Sequence, residues 1–126
     1  MSDNLVKLTV DFNDPELEPE ERDEQAQRLI AELRDIDEVD TVDRILNPHP
    51  PVGNKAGGGF LVGLLRAEAT VTNAKKLMGF LGDRLGGKSI ELTVESNGKK
   101  LSVKASSREE LDYAIKAAQD FIDKQK

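Results

Sequence analysis

The stretch from residue 90 to residue 105 constrains the fold more than any other part of the sequence. It contains two runs of alternating apolar and polar residues, separated by Asn97 and Gly98. An Asn-Gly pair between such runs is typical of a two-residue hairpin turn, in which both turn residues take positive φ. That turn places Glu95 opposite Lys100 and every apolar residue opposite another apolar residue. The sequence therefore predicts a β-hairpin with one buried face.

The N-terminal part of the chain predicts a strand, a helix and a second strand. Residues 5–12 alternate between apolar and polar side chains, which indicates a half-buried strand. Apolar residues then recur at helical spacing over residues 26–33, and residues 36–46 predict a turn followed by a strand. Because a helix connects the two strands, we expect them to be parallel and joined by a right-handed crossover.

The middle of the chain is less regular. Residues 47–59 contain three prolines and four glycines, so this segment is predicted to be a loop. The apolar run that follows, residues 60–69, fits either a buried strand or a helix, and we interpret it as a helix. Thr72 is then predicted to cap a second helix that ends at Gly86. Beyond the hairpin, a final helix is expected from about Ser107 to near the C-terminus.

These elements together predict a single α+β domain spanning residues 1–126. Its order is β-α-β, a loop with helices, the hairpin and a C-terminal helix, and its four-stranded mixed sheet has one face covered by helices. The opposite face should contact water or a partner. The residues expected there are Lys7, Thr9, Asp11, Glu91, Thr93, Glu95, Lys100, Ser102 and Lys104.

Composition and charge limit where the protein works and what it binds. There are no cysteines, no signal-peptide pattern at the N-terminus and no apolar run long enough to span a membrane, so we expect a cytoplasmic protein. The net charge of −6 is unevenly divided, because residues 1–46 carry −10 and residues 47–126 carry +4. Two interpretations remain open: two solvated faces, or a dipolar surface that steers a partner or favours head-to-tail association into a homo-oligomer.

No residue pattern predicts catalysis, a cofactor site or a metal site. Residues 82–89 satisfy the P-loop pattern, but a predicted helix precedes them and a strand follows, which is the reverse of the order that phosphate binding needs. The single histidine, His49, has no second histidine or cysteine to share a metal ion. Nucleic-acid binding is not expected, because the predicted open sheet face has no aromatic residue and the protein is acidic.

Several segments in order resemble the effector-associated constant component family of bacteria. They are Asp14-Pro15 as a helix start, residues 36–42, residues 51–58, residues 81–87 and the strand from Ser89. The resemblance covers nearly the whole chain. It implies a non-enzymatic adaptor between sensor and effector components of a bacterial conflict system, with effectors such as trypsin-like or caspase-like peptidases as partners.

We predict that the partner surface lies on the Pro/Gly loop and the apolar run after it. Prolines hold a chain extended, and glycines let a partner approach the backbone closely. The candidate residues are Pro50, Pro51, Gly57, Gly58, Phe60, Leu61, Leu64 and Leu65. Two alternatives stay open: these leucines are simply core, or the protein is a small-molecule or nucleotide-binding regulatory domain.

Overall fold

The computed structural model describes residues 5–48 and 59–124, which form five strands and three helices. In chain order the elements are β1 (Leu5–Phe12), α1 (Pro19–Arg34), β2 (Thr41–Leu46), β3 (Phe60–Thr70), α2 (Val71–Arg84), β4 (Ile90–Ser96), β5 (Lys99–Ala105) and α3 (Arg108–Asp123). The strands form one sheet in the order β2-β3-β1-β4-β5, and every neighbouring pair is antiparallel. The α+β class predicted from the sequence is therefore confirmed.

The prediction of a four-stranded mixed sheet is wrong, because residues 60–69 form a strand and not a helix. β3 lies between β1 and β2, so those two strands run in the same direction without being neighbours. Within β3, Leu65, Ala67 and Ala69 are buried while Arg66 is exposed. This alternation is that of a strand with one covered face. The local apolar pattern fits both a strand and a helix, and hydrogen bonding to β1 and β2 on its two sides makes this segment a strand.

Two helices begin at different residues from those predicted. Thr70, not Thr72, caps α2, and its hydroxyl accepts a hydrogen bond from the Asn73 N–H at 3.3 Å. α1 begins at Pro19 rather than at the Asp14-Pro15 pair. Pro19 suits the first helical position because its missing N–H would have no partner there.

The predicted hairpin is confirmed in full. Glu95 pairs with Lys100 and Val94 pairs with Leu101, as the two-residue turn requires. At the turn, Asn97 has φ 55° and Gly98 has φ 75°, so both turn residues take the positive φ that the Asn-Gly pair predicts.

The helices cover one face of the sheet. α1 packs on β3, α3 packs on β5, and α2 and α3 pack against each other. Their apolar stripes and the inward residues of the strands form one core, which includes Phe12, Leu33, Leu65, Leu81 and Leu92. The first six elements have the order and strand arrangement of the ferredoxin-like split βαβ motif, and β5 with α3 extends it. A fold of this kind hosts many functions, so function has to be argued from the site.

Candidate functional site

The Pro/Gly segment leaves and re-enters the sheet at one point. β2 ends at Leu46, which pairs with Phe60 at the start of β3, and the Asn47 N–H donates to the Gly59 carbonyl at 2.9 Å. The two ends of the segment are therefore held side by side. We call Leu46, Phe60 and Leu61 the β2–β3 tip. His49 and four predicted binding residues, Pro50, Pro51, Gly57 and Gly58, lie outside the described residues.

An irregularity in β3 separates the tip from the rest of the sheet. The register between β2 and β3 shifts between Arg44 and Leu46. On the opposite strand Gly63 adopts φ 75°, and a Cβ at this position would lie 2.7 Å from the backbone oxygen of Phe12. Because such a contact is sterically excluded, only glycine fits there, and β3 can change course at this residue.

A buried ion pair holds this irregular region. Arg44 on β2 pairs with Asp23 on α1, and their side chains are 20% and 8% exposed. The Asp23 carboxylate also accepts hydrogen bonds from the Gly63 N–H at 3.2 Å and from the Gln27 side-chain amide at 3.0 Å. One carboxylate thus connects α1, β2 and β3. A buried charge is tolerated when it is paired and hydrogen-bonded in this way.

The same ion pair reaches the tip through an aromatic contact. The guanidinium carbon of Arg44 lies 4.7 Å from the centre of the Phe60 ring, which is within the range of a cation–π interaction. Within the described part of the chain, the buried Nε of Arg44 has no hydrogen-bond partner. Arg44 therefore contacts both Asp23 on α1 and Phe60 at the tip. Through these two contacts it connects the tip to α1.

The predicted apolar binding residues differ in exposure. Leu65 is fully buried, with 0% of its surface exposed, and belongs to the core. Phe60, Leu61 and Leu64 are half-buried. Leu64, which follows Gly63 in β3, pairs with Asp11 on β1. Among the described residues at this end of the sheet, Leu46 has the largest apolar exposure, at 70%.

The sequence prediction missed three residues of this region. The sequence places Leu46 at the end of the second predicted strand and gives this residue no binding role, although it is the last apolar residue before the prolines. Asp23 lies on the same helix stripe as Ala26, Ile30 and Leu33, and Arg44 occupies an inward position of β2, two residues after buried Val42. Opposite charges on two apolar stripes would have indicated a buried ion pair.

The open face of the sheet has the predicted polar residues. The Thr93 and Ser102 hydroxyls lie 3.1 Å apart across β4 and β5. Asp11 pairs directly with Glu91, so two carboxylates are neighbours there. Burial raises the pKa of the Asp11 carboxyl, the charge of Glu91 raises that pKa further, and Arg22 partly opposes them.

The segment with the P-loop pattern has the inverted order that the sequence predicted. α2 ends at Arg84, before the second half of the pattern, and β4 begins at Ile90 just after it. Its Lys88 lines a cleft of about 230 Å³ between α1 and the end of α2. Other residues of that cleft are Phe12, Gln25, Arg28, Leu29, Glu32, Arg84 and Leu85.

Searches for metal sites and membrane spans gave negative results for the part of the chain that the structure covers. In residues 5–48 and 59–124 no three histidine or acidic residues are grouped so that they could hold a metal ion. None of the helices in these ranges combines the length and the apolar character that crossing a membrane requires.

A scan against protein-family models, a search of curated proteins and a search of solved structures each found no significant match.

Proposed function

We propose that the protein is a cytoplasmic, non-enzymatic adaptor that links sensor and effector components of a bacterial conflict or defence system. Its partner in this proposal is a protein effector, such as a trypsin-like or caspase-like peptidase, and not a nucleic acid. In this proposal the effector contacts the β2–β3 tip and the Pro/Gly loop that joins β2 to β3 in the sequence.

One observation carries this proposal: an apolar side chain is exposed where β2 pairs with β3 and where the Arg44–Asp23 pair connects these strands to α1. Leu46 is 70% exposed, and its neighbour across the strands, Phe60, is fixed by the Arg44–Asp23 pair. Binding surfaces of proteins commonly combine exposed apolar residues with a preorganised backbone, because preorganisation lowers the entropy cost of docking. A long connection held at both ends is also a common carrier of function.

The proposal is tested by co-expressing the protein with the effector encoded beside its gene. We expect the two chains to co-elute in size-exclusion chromatography, and we expect a peptidase of similar size from a distant locus to elute separately. Separate elution of the neighbouring effector, with both proteins folded by circular dichroism, would contradict the proposal.

A regulatory domain for a nucleotide or another small anionic molecule is the second candidate. The observation that favours it is the cleft beside Lys88, where Arg28 and Arg84 add positive charge over an apolar floor of Phe12 and Leu29. However, the Arg84 Nε is engaged by the Glu32 carboxylate at 3.3 Å, and the cleft lies at the C-terminal end of α2, where the helix dipole disfavours anions. We therefore prefer the adaptor.

A further inference from the structure

Among the described residues, the outer edge of β2 has backbone groups that pair with no other strand, and the register shows which ones. The Asn13 N–H donates to the Ser89 carbonyl at 3.3 Å, so the odd-numbered residues of β1 bond to β4 and the even-numbered residues bond to β3. The same alternation continues through β3 to β2. The backbone of Asp43 therefore bonds to β3, whereas the N–H and C=O groups of Val42 and Arg44 point away from the sheet.

Two clefts lie beside this edge, one on each face of the sheet. The cleft on the open face measures about 480 Å³ and lies over β2 and β3, since Arg66 and Glu68 of β3 line it together with residues 41 and 43–46 of β2. The cleft on the helix face measures about 300 Å³ and includes Leu33 and Val39. Side chains of a strand point alternately to opposite faces, so a strand added at β2 would place successive side chains on the two faces of the sheet, next to these clefts.

The chain that leads into and along the first part of β2 is acidic, while Arg34, Arg44 and Arg66 also line the two clefts. Residues 37–43 contain four carboxylates and no basic residue. Asp40 and Asp43 are exposed. Asp43 forms an ion pair with Arg34 at 3.9 Å, in which both side chains are more than 60% exposed. An exposed pair of this length neutralises little charge. A strand that carries lysine or arginine is thus favoured over a neutral or acidic one.

We propose that the β2 edge binds an extended, basic segment of the partner protein as a sixth strand of the sheet. This inference rests on the adaptor function and specifies how the effector is recognised: main-chain hydrogen bonds to Val42 and Arg44 supply affinity, and the acidic rim selects basic side chains. β5 of a second copy is the weaker occupant, because its Lys100 and Lys104 already face Glu95 and Glu91.

The test uses an eight-residue synthetic peptide that alternates valine with lysine or threonine, and a control peptide with glutamate at each lysine. Binding is followed by amide chemical shifts of the full-length chain. We expect shift changes at Thr41–Leu46 with the lysine peptide and none with the glutamate peptide. The double variant Asp40→Lys/Asp43→Lys should weaken binding at least tenfold, and the control Asp112→Lys/Asp120→Lys on α3 should bind like the wild type.

Several results would overturn this proposal. They are an absence of shift changes, equal binding of both peptides, or shift changes centred on β5. Concentration-dependent shifts of β2 without peptide, lost in Ser102→Pro, would assign the edge to a second copy instead. If the effector still co-elutes with Asp40→Lys/Asp43→Lys, the edge inference fails while the adaptor function stands. If the lysine peptide binds at β2 but no effector co-elutes, the adaptor function fails.

Discussion

At the hairpin turn, the backbone conformation of Gly98 sets the penalty for replacing it. Gly98 has φ 75°, and a Cβ there would meet no atom within 4 Å, so any penalty comes from φ alone. A β-branched residue resists positive φ. Gly98→Val should therefore lower the free energy of unfolding by about 1 kcal/mol or more, measured by urea denaturation. Gly79→Ala in the interior of α2 is the control and should raise stability; a Gly98→Val protein as stable as the wild type would contradict the turn assignment.

Asp11 is expected to make stability depend on pH. Because its folded-state pKa is raised by burial and by Glu91, the folded protein holds the proton more tightly than the unfolded chain. Ionisation therefore costs stability as the pH rises from the ordinary value of 3.8 through the raised pKa.

The variant Asp11→Asn should accordingly melt at a higher temperature than the wild type at pH 7. That difference should disappear below the ordinary aspartate pKa, where the wild-type carboxyl is also neutral. Asp112→Asn on the exposed face of α3 serves as control. A lower melting temperature for Asp11→Asn at pH 7 would show that Arg22 outweighs burial and Glu91.

At the scale of elements, the Asp23–Arg44 pair joins α1 to the irregular ends of β2 and β3. Asp23→Ala leaves the Arg44 guanidinium buried without its anion, and we expect a loss of about 3–5 kcal/mol in the free energy of unfolding. The double variant Asp23→Ala/Arg44→Met removes both charges and should recover part of that loss, and the single variant Arg44→Met completes the set. A double-mutant cycle measured in urea checks this, and strictly additive losses would show that the two side chains are not coupled.

How much of these elements the sequence predicts depends on how local their determinants are. The β4–β5 hairpin was predicted in register because its turn and both strands lie within sixteen residues. β3 was mistaken for a helix because its identity depends on pairing with β1 and β2, which lie far away in sequence. The ion pair of the candidate site joins residues 21 positions apart, so only the fold brings them together.

For the whole molecule, we predict that nucleotides do not bind. A helix precedes residues 82–89 and a strand follows them, which is the reverse of the order in a P-loop, and Lys88 lies near the C-terminal end of α2. Millimolar ATP with magnesium should leave the melting temperature unchanged, because a ligand that binds the folded state would raise it. A rise that is abolished in Lys88→Ala would contradict this prediction and favour the regulatory-domain alternative.

We propose that the β2–β3 tip is the protein-binding site. The affinity of the neighbouring effector for single-residue variants of the tip tests this proposal. Leu46→Asp should bind at least tenfold more weakly than the wild type while keeping its melting temperature, because Leu46 is 70% exposed. Leu61→Asp should weaken binding too, although this half-buried residue needs the same check of folding.

The matched control for these affinities, measured by isothermal titration calorimetry, is Tyr113→Asp on α3, whose side chain is 74% exposed. We expect Tyr113→Asp to bind the effector with wild-type affinity and Leu46→Asp to bind it at least tenfold more weakly. Wild-type affinity for a folded Leu46→Asp protein would contradict the assignment of the β2–β3 tip as the binding site.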